Sequence, residues 1–361
     1  MSISSRVSIE DIARAAGVSR STVSRVINND ANVKAATRQL VLDFVERLNY
    51  HPNHAARALV TQRSHVIGVV MPGTANVFFG DNSYFPMLLQ GIAEATNRND
   101  HSMLLCLGYS DEDREHFSDR VLRNSMCDGL IIASIENDDP LIARMLKFGR
   151  PWVMVERPQQ FTDDINYVTV DNIGGARMAT EHLISLGYRR IAHISGHLNI
   201  GDGQDRLNGY RQALEAADIP YDPELVYHGF FNRASGYAGM KALLPHRPDA
   251  VFVASDTETR GALQALGEVG VRVPEDIALI GFDDLDVATE SDPLLSTIRQ
   301  PVQQKGATAF SLLLDLMNGA KQSPQHVVLP TQLVIRDTCG AKKPSKEVVK
   351  EVRLPSQAGI P

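Results

Sequence analysis

The 361-residue chain has little cysteine: Cys106, Cys127 and Cys339 are an odd number without metal-ligand or C-x-x-C spacing. That excludes a disulfide framework and a spaced zinc site, and leaves the three as small buried or neutral residues. Long apolar runs are missing as well; none approaches the roughly 18 residues of a membrane span. The opening stretch MSISSRVSIEDIARAAG lacks the apolar core of a signal peptide, so the expected location is the cytoplasm. There is no nucleophile elbow, Walker loop or cluster of metal ligands, so an enzyme is not indicated and no cofactor is expected. The glycine-rich run Ile200-Gly201-Asp202-Gly203-Gln204-Asp205 lacks the G-x-G-x-x-G spacing and reads as a ligand loop, not as a nucleotide fingerprint.

What is present is the composition of a soluble globular protein, 43% apolar and 22% charged, long enough for two or three domains. The net charge of −7 is unevenly distributed. Residues 1–63 hold nine Lys/Arg against five Asp/Glu, a net of +4, which leaves −11 for the remainder. A cationic module on an acidic body points towards nucleic acid as a partner of the first segment.

Ser8 followed by Ile9-Glu10-Asp11 has the form of a capping box, and Ile9, Ile12, Ala13 and Ala16 recur at helical spacing. Gly17 suits a left-handed helix end, Val18 can plug the core, and Ser19 can cap a second helix with the apolar stripe Val23, Val26 and Ile27. The other face of that helix carries Arg20, Ser21, Thr22, Ser24, Arg25 and Asn28, donors and amides suited to base edges and phosphates. Helix, glycine turn, helix is the geometry that places a second helix in the major groove. A plain helical hairpin with a solvated face is the alternative. A third helix over about 36–48 has Leu40, Val41, Phe44, Val45 and Leu48 as a core-facing stripe. Pro52 then breaks the helix and Asn53 can cap a short one that is marginal alone in water.

The stretches IEDIARAAGVSRSTVSRVINND and VKAATRQLVLDFVERLNYHPNHAARAL closely resemble the headpiece of the LacI/GalR family of bacterial repressors. The resemblance implies base reading by Arg20 and Ser21, with Arg25 close behind. It also implies that Thr22, Ser24, Asn28 and Thr37 make mostly backbone contacts, with Ser19 also at the DNA. By the same resemblance, residues 53–60 form a hinge helix whose two copies pair over the minor groove, with Asn53, Ala56 and Leu59 towards the DNA. Leu59 takes the place of the family's intercalating leucine.

From Val66 short apolar runs alternate with amphipathic helical stretches. VIGVVM, MLLCL, GLIIAS and WVMV are followed by VTV, IAHIS, ELVYH, AVFVAS and IALIGF, which predicts parallel sheets in two similar halves. Helices are expected near 85–99, 111–124, 138–148, 172–187, 204–217, 232–244 and 257–270. In such sheets ligands lie beyond the carboxyl ends of the strands. Those ends carry Ser134, Glu156-Arg157, Asp256 and Phe282-Asp283-Asp284, a set suited to a polyhydroxylated ligand. Buried Asp and Arg that only tie lobes together are the alternative at any one position.

The family resemblance continues, more loosely, through DRLNGYRQAL, VASDTETRGAL, VPEDIALIGFDD and LSTIRQP. It implies an α/β, two-lobed body like a periplasmic binding protein behind an all-α headpiece with its hinge helix. In that body Arg206 is the central effector-binding arginine, Asp283 a hydroxyl acceptor and Phe231 an aromatic wall. Ser134, Asp256 and Phe282 line the same cleft, and Ser255 stands where many members have Asn. The family's Asn-Pro-Phe-Phe loop has two counterparts here, Asn76-Val77-Phe78-Phe79 and Asn82-Ser83-Tyr84-Phe85. Counting back from Gly91 favours the second and puts Tyr84 and Phe85 at the ligand.

The expected organisation is a headpiece over 1–63, a body over 64–340 that binds effector and dimerises, and a disordered tail over 341–361. Lobe 1 takes about 64–169 and 299–325, and lobe 2 about 170–298 and 326–340. A headpiece reads only a few base pairs, so a homodimer on a two-fold DNA operator is expected. The effector is a sugar or sugar derivative ahead of a purine or nucleoside. A periplasmic sugar-binding protein would share the body but requires a signal peptide and no headpiece.

Overall fold

Ser8 opens the first helix: Asp11 N donates to Ser8 Oγ (3.3 Å) while Ser8 N donates to Asp11 Oδ2 (3.0 Å), a reciprocal cap. The computed structural model describes residues 7–27, 30–50, 63–71, 83–108, 119, 126–133, 136–137, 139–320 and 324–341. It divides into two units, Met1–His65 and Val66–Pro361.

In the first unit α1 (Ile9–Ala16) ends at Gly17, whose φ of 64° is left-handed, and α2 (Arg20–Ile27) and α3 (Ala35–Arg47) follow. Ile12, Ala13, Ala16, Val23, Val26 and Val41 are buried together, with Val18, Phe44 and Val45 packed around them. Leu40 and Leu48, expected in the core stripe, are 43% and 37% exposed. Three short helices enclose too little volume for so broad a stripe, and Val41 occupies the centre instead.

In the second unit each half is a six-stranded sheet. The first contains β1 (Val66–Met71), β2 (Ser102–Leu107), β3 (Gly129–Ala133), β4 (Trp152–Val155), β5 (Tyr167–Val170) and β11 (His326–Leu329), in the order β11-β5-β4-β3-β1-β2, all parallel. The second contains β6 (Ile191–Ser195), β7 (Val226–His228), β8 (Ala250–Val253), β9 (Ala278–Asp283), β10 (Thr297–Arg299) and β12 (Gln332–Val334), in the order β12-β10-β9-β8-β6-β7. Among the described residues only the edge strand β12 runs antiparallel. The near-continuous Val/Ile/Leu strands are buried as central parallel strands require.

The chain passes between the lobes after β5, after β10 and between β11 and β12. Residues 326–329 therefore belong to the first lobe, not the second as their position near the end of the body suggested. Their register with Tyr167–Val170 decides this, and a four-residue strand does not announce its partner.

Among the described residues the α-helices of the body are α4 (Tyr84–Arg98), α5 (Pro140–Met145), α6 (Asn172–Ser185), α7 (Gly201–Ala216), α8 (Arg233–Leu243), α9 (Asp256–Glu268), α10 (Val287–Glu290) and α11 (Val302–Met317). α4 and α11 cross with backbones in contact: a Cβ on Gly91 would lie 1.9 Å from Gln303 O, and one on Gly306 2.3 Å from Leu88 O. That contact fixes the start of α11 against the first lobe. The run 200–205 is the beginning of α7 and not a free loop, with helix from Gly201. A Cβ on Gly201 or Gly203 would meet the Arg157 or His197 carbonyl at 2.2 or 2.3 Å, so these glycines serve close backbone approach. The helix expected at 111–124 lies almost entirely outside the described residues.

Candidate functional site

On α2 the cap residue Ser19 accepts from Thr22 N (3.1 Å) and lies 2.7 and 2.8 Å from the hydroxyls of Ser21 and Thr22. These small polar side chains hold one another at the helix start. Arg20 and Arg25 extend outward, 73% and 67% exposed, and Ser24 and Thr37 are half-buried. Arg20 Nε lies 3.0 Å from Glu10 Oε1 on α1. An exposed pair of this kind contributes about 0–1 kcal/mol, so a competing anion displaces it readily. Asn28, Asn53, Ala56 and Leu59 lie outside the described residues.

In the body, polar side chains converge from the carboxyl ends of both sheets. Arg206 on α7 is 3% exposed; its Nε donates to Asn172 Oδ1 (2.9 Å) and a terminal nitrogen reaches Asp283 Oδ1 (3.4 Å). Asp202, one turn earlier, lies 3.6 Å from the other terminal nitrogen. The guanidinium sits 3.7 Å from the ring centre of Phe282 and 5.5 Å from that of Phe231. Stacked and held at its edges, it is a preorganised donor.

From Asp283 the network runs into the first lobe. Gln300, on the crossover after β10, donates from Nε2 to Asp283 Oδ1 (2.6 Å) and accepts from Lys305 Nζ (3.1 Å). Lys305, fully buried on α11, pairs with Glu156 Oε1 at 3.7 Å, and Tyr84 Oη donates to the same oxygen (2.7 Å). Burial holds the Asp283 carboxyl above its ordinary range against the pull of Arg206. Burial, then the charge of Glu156, pushes the Tyr84 phenol well up and keeps it a donor. At the edge of this region Arg157 Nε donates to Asp205 Oδ2 (3.0 Å) across the lobes, and Asn137 Nδ2 to Asn199 O (2.6 Å).

The aromatic wall is set by a buried carboxylate. Glu258 Oε1 accepts from the backbone N of Phe230 and Phe231 (both 3.1 Å) and from Ser235 Oγ (2.9 Å), and Oε2 accepts from Ser255 Oγ (3.2 Å). It lies at the N-terminal turns of α8 and α9, where backbone dipoles favour negative charge. Burial outweighs the donors and pushes its pKa up to about 8. Glu156, Phe231 and Asp283 have φ of 82°, 56° and 121°. Left-handed backbone at three such side chains is strain of the kind concentrated at binding sites.

The comparisons with known proteins fit both units. The model of bacterial regulatory proteins, lacI family, matches residues 8–53, and that of the periplasmic binding protein-like domain matches 180–339. The HTH-type transcriptional regulator CelR of Thermobifida fusca is 39% identical over 336 residues, covering 92% of this chain and 98% of that protein. The chain belongs to the LacI family. Its other relatives include the regulator DegA of Bacillus subtilis, 33% identical over 92% of this chain and 97% of that one. A solved complex of CelR with cellobiose superposes with a TM-score of 0.74 at 36% identity, over 92% of this chain and all of that one. The lac repressor dimer bound to operator and the anti-inducer ONPF gives 0.81 at 29%, over 93% and 100%. This LacI-family chain is thus a helix-turn-helix transcription regulator with a two-lobed body, and not an enzyme.

Within it, Tyr84, Arg206, Phe231, Phe282 and Asp283 come together as the sequence suggested, with Phe282 wholly buried beneath the guanidinium. Two expectations are corrected. Phe85 is 6% exposed and packs in the first lobe's core with Leu88 and Ile92, because one residue along a helix from Tyr84 is about 100° away. Asp256 is fully buried and accepts from Thr297 Oγ1 (2.7 Å) and Leu285 N (2.9 Å), so it ties β10 and the turn after β9 to α9. Ser134 lies outside the described residues. The sequence reading missed Asn172, Asp202, Gln300, Lys305 and Glu258. A lysine on the apolar stripe Val302, Gly306, Ala309 and Leu313 was a visible signal; Asp202 and Glu258 lie inside the first turns of α7 and α9, and packing of those helices brings them to the site.

Proposed function

We propose that this regulator is a repressor that binds a two-fold DNA operator as a homodimer and is controlled by a sugar-like effector held between the lobes. The observation that carries the effector reading is Arg206, buried, stacked on Phe282 and joined by Asp283 to a hydrogen-bonded chain that crosses into the first lobe. Carboxylates that accept from hydroxyls, an arginine that donates to ring oxygens and an aromatic face for C–H surface together suit a polyhydroxylated ring. The resemblance to a regulator solved with cellobiose supports the same class.

Arg20 and Ser21 read bases with Arg25 close behind, and Thr22, Ser24, Asn28 and Thr37 contact mostly the backbone, with Ser19 also at the DNA. Asn53, Ala56 and Leu59 act in a hinge over the minor groove. Ligand in the cleft changes the angle between lobes and thereby the spacing of the two hinges.

Selection of duplexes from a random pool by the full-length protein tests the DNA half, and enrichment of two-fold-symmetric sequences is expected. Anisotropy titration of the selected duplex with and without cellobiose tests the effector half. No enrichment would overturn the operator reading; unchanged DNA affinity across a panel of sugars would overturn the effector reading.

A further inference from the structure

On the reading of the cleft as a sugar site, we propose that Phe230 and His197 form an outer subsite for the second ring of a glycoside. The chain would then answer to a disaccharide or longer glycan, and not to a monosaccharide.

Two segments lie side by side here, the one after β6 and the one after β7. Phe231 covers Gly196 so closely that a Cβ there would lie 1.9 Å from the ring's Cζ. The next pair along the same two segments is His197 with Phe230, ring centroids 5.2 Å apart and tilted 35°. The inner ring, half-buried, faces the Arg206 guanidinium, and the outer one is 58% exposed. Adjacent in the chain, Phe231 thus lies at the arginine while Phe230, against His197, stands at the solvent-exposed side.

A single exposed phenylalanine is ordinary on a protein surface. This one differs in being held. Its backbone N donates to Glu258 Oε1 and Ser235 Oγ, both at 3.1 Å, at the cost of a fully buried carboxylate. His197 is fixed as well: its carbonyl accepts from Ile200 N (3.1 Å) and abuts Gly203. A large apolar ring left in water on so rigid a support is a preformed stacking platform, which lowers the ordering cost of binding. Hydroxyls of a ring placed there meet polar side chains of the cleft edge, where Arg157 is 31% exposed and Asn137 meets Asn199 across the lobes.

Calorimetric titration of the full-length protein with glucose, cellobiose and maltose tests the subsite. Wild type is expected to prefer one disaccharide over glucose. Phe230→Ala is expected to lower affinity for that disaccharide roughly tenfold, the scale of one lost aromatic stack, while leaving glucose unchanged. Phe231→Ala weakens both, and Phe230→Tyr restores the preference. Equal wild-type affinity for glucose and disaccharide, or an unchanged Phe230→Ala preference with a normal melting curve, would overturn the outer subsite and leave the sugar cleft standing. Failure of wild type to bind any of the three would overturn the sugar reading, and the subsite with it.

Discussion

Lys305 Nζ lies 3.7 Å from Glu156 Oε1, and neither side chain reaches solvent appreciably, at 0% and 5% exposure. The lysine comes from the helix that follows one interlobe crossover and the glutamate from the end of β4, so the pair anchors the inner network to the first lobe. Lys305→Met would leave Glu156 buried without its cation. The expected loss is about 3–5 kcal/mol in urea unfolding, the usual cost of breaking a buried pair from one side. The double variant with Glu156→Gln is expected to recover part of it. A single-variant loss under about 1 kcal/mol would contradict the anchoring role of the pair.

The dependence of stability on pH has two identifiable limbs. Burial raises Glu258 from the ordinary 4.5 to about 8, so between those values the unfolded chain has released a proton that the folded chain keeps. Its contribution is full below 4.5 and is lost as pH rises through 8. Burial lowers His193 from 6.5 to about 3, so its contribution is full above 6.5 and is lost as pH falls towards 3. Asp256 and Asp283, also raised by burial, share the sign of Glu258. Calorimetric melting across pH is expected to show Glu258→Gln with a shallower alkaline fall and His193→Phe with a shallower acid one. A Glu258→Gln profile parallel to wild type on the alkaline side would contradict the assignment.

Gly196→Ala tests the wall without touching a polar group. The added methyl would lie 1.9 Å from Phe231 Cζ, so the ring must leave its place. Affinity for the effector is expected to fall at least tenfold, about 1.4 kcal/mol, with a small change in melting temperature. Retained affinity would place the ligand elsewhere.

In the headpiece, Arg20→Ala is expected to relax base preference at one position of each half-site by about 1–3 kcal/mol in competition binding with variant duplexes. Glu10→Gln, which frees Arg20 from its 3.0 Å contact, is expected to preserve that preference. A uniform loss over all duplexes with Arg20→Ala would instead mark a phosphate contact.

Local chemistry made much of this protein legible before any coordinates. The capping box at Ser8, the left-handed glycine at 17 and the period-3.6 stripe through Ile12, Ala16, Val23 and Val26 depend on neighbours within a few residues, and they came out as written. The alternation of buried strands with helices likewise pointed to two parallel sheets, and the strand-end rule picked out Phe282 and Asp283, while Arg206 and Phe231 beside them were implied by the family resemblance.

Tertiary structure alone decided what depends on register and packing. Strand β11 joined the first lobe by pairing with Tyr167–Val170. Phe85 turned to the core while Tyr84, its neighbour, reached Glu156. Asp256 became a tie between segments, and Lys305 and Gln300 joined the site from a crossover distant in sequence. Periodicity tells which face of an element avoids water, but buried polar groups must find particular partners, and those partners are set by how the two sheets and their three connections come together.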